Sequence, residues 1–181
     1  LESAPASHAS VSSYAVPTVT NVFPSATEFS TGGTQLVTIE GANFGVPGLE
    51  AFNKLKVTYG PPGDFDRYTA SGCTVVAQTS HRNITCRTAA GVGAGHSWQV
   101  TVGEQTSVVD AAVRTTSYRR PTISFVGGQG AKDATTEGGQ DITIRGVMFG
   151  PRVLAAGSVP LKVTYGATGT ELAAQNCVIS A

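Results

Sequence analysis

Hydrophobic and polar positions alternate with a period of two along short stretches of this chain, the period at which side chains switch faces on a β-strand. In Leu55–Tyr59, Leu55, Val57 and Tyr59 share one face, while Lys56 and Thr58 share the other. In Ser97–Val102, Trp98, Val100 and Val102 point one way and Ser97, Gln99 and Thr101 the other. Val37 and Ile39 repeat the pattern. Further strands are expected at Thr18–Val22, Cys73–Ala77, Asn83–Cys86 and Val108–Val113. One dry face and one wet face is the signature of antiparallel sandwich strands. Gly and Pro separate these runs, and no long stretch is enriched in Ala, Leu, Glu and Lys, which argues against extended helices. Gly91-Val92-Gly93-Ala94-Gly95 lies between two expected strands. With no helix to follow, it reads as a hairpin connection and not as a phosphate loop.

The chain also repeats itself. Leu55-Lys56-Val57-Thr58-Tyr59-Gly60 recurs unchanged as Leu161-Lys162-Val163-Thr164-Tyr165-Gly166. Ahead of it, the run from Gly32-Gly33 to Gly41 matches Gly138-Gly139 to Gly146, with Val37 and Ile39 level with Ile142 and Ile144. Phe44-Gly45 matches Phe149-Gly150, Cys73 matches Cys177, and Ser13-Tyr14 resembles Ser117-Tyr118. The offset stays between 104 and 106 residues. Self-similarity at a fixed period marks a tandem architecture. Residues 1–16 then read as the tail of a preceding repeat or a linker. Residues 17–118 read as a complete domain, and 119–181 as a second, C-terminally incomplete one. Ala181 falls level with Ala77, so the polypeptide is expected to continue in both directions.

Composition narrows the function classes. Charged residues are 13% of the chain, about half the usual share of roughly 25%. Twelve basic and 12 acidic residues give a formal net charge of zero. No basic stripe is present to neutralise phosphates, so no nucleic-acid partner is expected. No apolar run approaches membrane-spanning length, so direct membrane insertion of this segment is not expected. A nucleophile needs a base within reach, and neither a Gly-x-Ser-x-Gly elbow nor a His at motif spacing appears, so no enzyme is expected. Asp64 and Asp66 form the nearest acidic pair and read as a solvated turn, with a weak calcium site as the alternative. His8, His81 and His96 are scattered and do not pair with the cysteines at metal-ligand spacing, and no metal or cofactor is expected. Trp98 shares its face with Val100 and reads as core, not as a sugar-stacking platform. Arg119-Arg120 is followed at once by Pro121 and reads as a charged linker, not a processing site.

The segments Gly32-Gly33-Thr34, Val37-Thr38-Ile39-Glu40-Gly41-Ala42-Asn43-Phe44-Gly45, Val57-Thr58-Tyr59-Gly60 and Ile84-Thr85-Cys86-Arg87-Thr88 together resemble the IPT/TIG family. The resemblance covers 17–118 in full and 121–181 in part. It implies an all-β fold of tandem immunoglobulin-like antiparallel β-sandwiches, a reading that seven short strands in about 100 residues also fit. The second copy departs from the pattern with Val147-Met148 where the family prefers Asn at the second position. The turn is expected to form regardless, because Gly146 and Gly150 matter more there. The family pattern places Cys73 and Cys86 on neighbouring strands and so implies a Cys73–Cys86 disulfide. It leaves Cys177, the repeat equivalent of Cys73, unpaired in this window, with a free thiol or an intermolecular bridge as alternatives. Asn83-Ile84-Thr85 is an N-glycosylation sequon, with Asn83 expected to face outward while Ile84 and Cys86 face inward. These features imply an extracellular, secreted or cell-surface glycoprotein.

Fold alone does not fix function. The expected function is a structural repeat, the building block of a glycosylated stalk, fibril or surface coat. It would associate with itself or with neighbouring repeats of its own chain. The alternative is an adhesive receptor ectodomain binding a protein or glycan through the loops Val46–Asn53 and Pro61–Tyr68. A third reading is an accessory domain of a carbohydrate-acting enzyme.

Overall fold

Antiparallel pairing between the two clearest alternating runs sets the centre of one sheet. In a computed structural model that describes residues 13–24, 28–153 and 160–180, Leu55 lies opposite Val102, Val57 opposite Val100 and Tyr59 opposite Trp98. The N-terminal part contains ten strands. They are β1 (Thr18–Phe23), β2 (Glu28–Phe29), β3 (Leu36–Ala42), β4 (Leu55–Gly60), β5 (Tyr68–Thr69), β6 (Ser71–Val75), β7 (Asn83–Arg87), β8 (Ser97–Val102), β9 (Gln105–Thr106) and β10 (Ser117–Tyr118). Two four-stranded sheets, ordered β1-β3-β7-β6 and β5-β4-β8-β9, face each other. A short parallel pair, β10 with β2, closes one corner. Every pairing within the two sheets is antiparallel.

The core follows from the alternation. Val22, Val37, Ile39, Ile84 and Cys86 project from one sheet, and Val57, Tyr59, Trp98 and Val100 from the other; all are buried. Each fully buried Val or Ile contributes about 1.5–3 kcal/mol relative to exposure. Asn83, Thr85 and Arg87 alternate with Ile84 and Cys86 and remain at least partly solvated. The only helical turns among the described residues are 3-10 segments at Leu49–Phe52 and Ala77–Thr79.

Three expected elements change. The strand expected at Cys73–Ala77 runs instead over Ser71–Val75, with a bulge between Ser71 and Thr74. Ala77 has already entered a 3-10 turn. No strand forms at Val108–Val113, and Val108 is 80% exposed. Asp110 turns the backbone there, its carboxylate accepting the Ala112 amide at 2.8 Å and its carbonyl the Val113 amide at 3.1 Å. Short Asp side chains favour such local turns over ladders. Third, Gly91–Gly95 is not a hairpin: β7 belongs to one sheet and β8 to the other, so this loop crosses between the layers.

The C-terminal part contains β11 (Thr122–Gly127), β12 (Thr143–Val147), β13 (Thr164–Tyr165) and β14 (Leu172–Ala173). Here β11 and β12 reproduce the β1–β3 pair. Thr122 lies opposite Val147 as Thr18 lies opposite Ala42, and the register shifts between Ile123 and Phe125 as it does between Val19 and Asn21. Gly41 and Gly146 serve the same purpose. A Cβ on Gly41 would sit 1.8 Å from the Thr18 carbonyl oxygen, and one on Gly146 would sit 2.0 Å from that of Thr122. Met148 takes a φ of 63°, as Asn43 does, so the turn survives the substitution of the favoured Asn.

Among the described residues the stretch 119–181, expected as a second and C-terminally incomplete domain, does not form a closed sandwich. No described residue after Tyr118 is buried. Phe125 and Val126 are each about half exposed, and the face expected to be apolar and covered at Ile142 and Ile144 is open to solvent in part. The reason lies in the pairing. β3 is held on its second edge by β7, and β4 is held along its length by β8. Among the described residues β12 pairs only with β11. The identical Leu161–Gly166 run forms just the two-residue β13, paired with β14.

Candidate functional site

The two cysteines of the N-terminal sandwich come from adjacent strands. Cys73 on β6 and Cys86 on β7 are disulfide-bonded across a sequence separation of 13, with their Cα atoms 4.1 Å apart. Cys86 is fully buried beside the core, while Cys73 is partly exposed. Asn83 opens β7, with its backbone opposite Glu40. It is partly exposed, and so is Thr85, whose hydroxyl lies 3.2 Å from that of Thr74. Both polar sequon residues therefore occupy the outer face of the sheet, with Ile84 buried between them. Cys177 is unbonded and partly exposed, its thiol 3.8 Å from the Gln175 carbonyl oxygen.

A second constellation was not anticipated from the sequence. Tyr59, Tyr68, His96, Trp98 and Tyr118 are all buried and gather where the loop 88–96 crosses between the sheets. The hydroxyls of Tyr59 and Tyr118 lie 2.7 Å apart. Tyr118 donates to the Ala89 carbonyl at 2.8 Å, and Tyr59 accepts the Ala89 amide at 2.8 Å. Tyr68 donates to the Val92 carbonyl at 2.8 Å and accepts its amide at 3.1 Å. Trp98 stacks on Tyr59 at 4.1 Å and donates its indole N–H to Thr116 at 3.0 Å. Three tyrosine hydroxyls thus hold the Ala89 and Val92 backbone of the crossover, beside backbone bonds from Gly91 to Thr31, from Tyr118 to Gly93 and between His96 and Thr116. The loop must come close for this. A Cβ on Gly91 would lie 2.6 Å from the Tyr68 ring and 2.7 Å from the Tyr118 hydroxyl.

Burial keeps Tyr59, His96 and Tyr118 of this cluster neutral. Burial pushes the Tyr59 phenol up to about 12, opposed by its hydrogen bonds to Tyr118 and Ala89. Burial pushes Tyr118 further in the same direction, reinforced by Tyr59. Both phenols stay neutral and serve as donors. His96 is fully buried, edge-on to the rings of Tyr59, Tyr68 and Tyr118 at centroid distances of 5.4 to 6.1 Å. Neither ring nitrogen makes a hydrogen bond of ordinary geometry; the backbone of Gly93 and Val92 supplies the nearest acceptors. Burial lowers its pKa, so the ring is neutral at pH 7. The recurrence of Ser-Tyr at 13–14 and 117–118 was the one sequence signal that could have singled out Tyr118.

The two candidate binding loops do not converge. Val46–Asn53 precedes β4 and Pro61–Tyr68 follows it, so the six residues of β4, about 20 Å of extended chain, separate them. They lie at opposite ends of the sandwich and cannot form one site. At the first end Phe52 is 75% exposed on the 3-10 turn, and Lys54 pairs with Glu104 at 3.2 Å. At the second end Asp64 is engaged by Arg67 at 2.9 Å and Tyr68 is buried. Among the described residues no group of three or more His, Cys, Asp or Glu side chains is placed to hold a metal ion. No helix among them is long and apolar enough to cross a membrane.

Comparison with protein families matches residues 17–116 to the IPT/TIG domain, which is more than half of the chain. The chain belongs to the IPT/TIG domain family. The matched range is the sandwich β1–β10 but for its last two residues. Neither the curated proteins nor the solved structures include a match to the chain. As an IPT/TIG protein it is an immunoglobulin-like module of a kind found in extracellular and transcription-factor contexts. Such modules are generally non-catalytic and commonly mediate protein–protein interaction. A disulfide between β6 and β7 fits the extracellular setting, since such bonds persist in oxidising compartments.

Proposed function

We propose that this IPT/TIG chain is an extracellular structural repeat, a building block of a glycosylated stalk, fibril or surface coat. In this reading residues 17–118 are one complete repeat and 119–181 belong to a second. The observation that carries it is the recurrence of the β1–β3 register, bulge and close-approach glycine in β11–β12. Chain direction favours the same reading. The chain enters at the end where Asn43 donates to the Val16 carbonyl at 3.0 Å. It leaves at the opposite end, where the Arg119 amide bonds to the Phe29 carbonyl at 2.8 Å. Units threaded end to end contact mainly their neighbours and make rods. Asn83 is the proposed N-glycan site, placed on the polar outer face where a glycan displaces no core residue.

Negative-stain electron microscopy of the native material tests this. Fibres or rods with an axial step of roughly 35–45 Å per domain are expected, from a radius of gyration near 13 Å for 100 residues. Discrete particles without an axial repeat would overturn the structural reading. A second reading, an adhesive module that binds a protein ligand, rests on Phe52, a large apolar side chain 75% exposed on the Val46–Asn53 turn.

A further inference from the structure

Two units joined by a flexible linker move independently by default. The junction between the N-terminal sandwich and the C-terminal part is not of that kind. Three residues, Arg119, Arg120 and Pro121, separate β10 from β11. The Arg119 amide donates to the Phe29 carbonyl at 2.8 Å, and the Pro121 ring fixes its own φ. Beyond the linker, the turn after β12 brings Met148 back onto the sandwich. Its sulfur accepts from the Thr31 hydroxyl at 3.7 Å and from the Ser30 hydroxyl at 3.9 Å. The corner that receives it is braced from behind. There the Ser30 carbonyl accepts the Gly33 amide at 3.1 Å, and the Thr31 carbonyl accepts the Gly91 amide at 3.0 Å. Thr31 is buried and Met148 is partly covered. A crevice lined by Glu28, Arg119, Arg120, Thr122, Val147 and Met148 adjoins the contact.

Met148 stands where the N-terminal sandwich has Asn43, at the same φ of 63°. The two side chains make different contacts. Asn43 donates its side-chain amide to the Val16 carbonyl at 3.0 Å, and so bonds the segment that leads into its own β1. A thioether has no hydrogen to donate, but it is long and adaptable, and its sulfur is a weak acceptor. Met148 therefore cannot tie down its own entry segment as Asn43 does, and it reaches the neighbouring unit instead. We infer that the corner at residues 30–33 is a docking surface for the turn that follows β12, and that Met148 is the stitch that holds the two units at a fixed angle. The inference rests on reading 119–181 as the unit that follows 17–118 in an array, and it gives that array a stiff joint at this position. It also gives the Asn-to-Met exchange a purpose: the turn forms with either residue, but only Met carries the contact across the junction.

The test uses the whole chain, isotopically labelled, and the residual dipolar couplings of its backbone amides. In the wild type the amides of 17–118 and those of β11 and β12 should fit one common alignment tensor. Met148→Asn keeps a residue suited to the positive φ and removes the contact, so the β11–β12 couplings should fall to about half or less of their wild-type size. Ser30→Ala with Thr31→Val strips both hydroxyls from the receiving side and leaves β11–β12 untouched; it should produce the same loss. Adding it to Met148→Asn should change nothing further. Separate tensors in the wild type, couplings unchanged in either variant, or losses that add in the combined one would each overturn the inference. None of these outcomes depends on whether the native material forms fibres. A fixed joint without fibres would sink the polymer and spare the joint, and fibres built from independently moving units would do the reverse.

Discussion

Reducing the Cys73–Cys86 bond should remove about 3 kcal/mol from the stability of the N-terminal sandwich. The bond closes a loop with a sequence separation of 13. In the chain-entropy account, a loop of about 15 residues restricts the unfolded chain by roughly 3 kcal/mol. Against a total stability of about 5–15 kcal/mol for a single domain, that is a large share. In a domain of about 100 residues each kcal/mol moves the melting temperature by roughly 4–8 °C, so a fall of about 12–24 °C is expected. The paired substitution Cys73→Ala with Cys86→Ala should lose about 1 kcal/mol more, because Cys86 is fully buried and its sulfur leaves a void. The probe is intrinsic: the chain has one tryptophan, Trp98, buried and stacked on Tyr59. Urea unfolding followed by its fluorescence therefore reports on this sandwich. The reduced wild type keeps every core atom and isolates the cross-link, whereas the alanine pair adds the packing loss. A reduced protein within about 1 kcal/mol of the oxidised one would refute the reasoning, and would mean that β6 and β7 are held by pairing and packing alone.

Two further perturbations probe the aromatic clamp. His96 is buried with a lowered pKa, so above about pH 6.5 it is neutral in both folded and unfolded chains and its contribution is fully present. Below that the unfolded chain takes up a proton that the folded one resists, so stability falls until the pH passes the folded pKa. The groups facing it, Tyr59, Tyr68 and Tyr118, are aromatic rings, and Arg67 adds a positive charge that opposes protonation. His96→Phe should flatten the acid slope of unfolding free energy measured from pH 7 to 4; an unchanged slope would show that other groups set it. Gly91→Ala should destabilise by about 1–3 kcal/mol in the same urea assay, since the added methyl meets the Tyr68 ring and the Tyr118 hydroxyl. Gly48→Ala, where nothing lies within 4 Å, separates steric overlap from backbone strain, because φ there is 99°.

Period-two alternation at Leu55–Tyr59 and Ser97–Val102 placed Leu55, Val57, Tyr59, Trp98 and Val100 on the dry side, because a strand offers only two faces. It missed Thr58, expected to be wet and in fact buried, and Val102, expected to be dry and only partly covered. The same local rule placed Ile84 and Cys86 inward and Asn83 outward. The family pattern paired Cys73 with Cys86, and the fixed repeat offset anticipated that β11–β12 would copy β1–β3. What local pattern could not decide was which sheet each strand joins. That choice made Gly91–Gly95 a crossover where a hairpin was expected, and it put Val46–Asn53 and Pro61–Tyr68 at opposite ends. It also assembled the tyrosine clamp from residues as far apart as Tyr59 and Tyr118, through hydrogen bonds that no periodicity encodes. The clearest case is the run Leu-Lys-Val-Thr-Tyr-Gly, which occurs twice. At 55–60 it is a full strand at the centre of a sheet, and at 161–166 only two of its residues pair. Identical residues carry identical propensity. The difference lies in the neighbours, because β8 supplies both the hydrogen-bond ladder and the apolar cover that six local residues cannot provide for themselves.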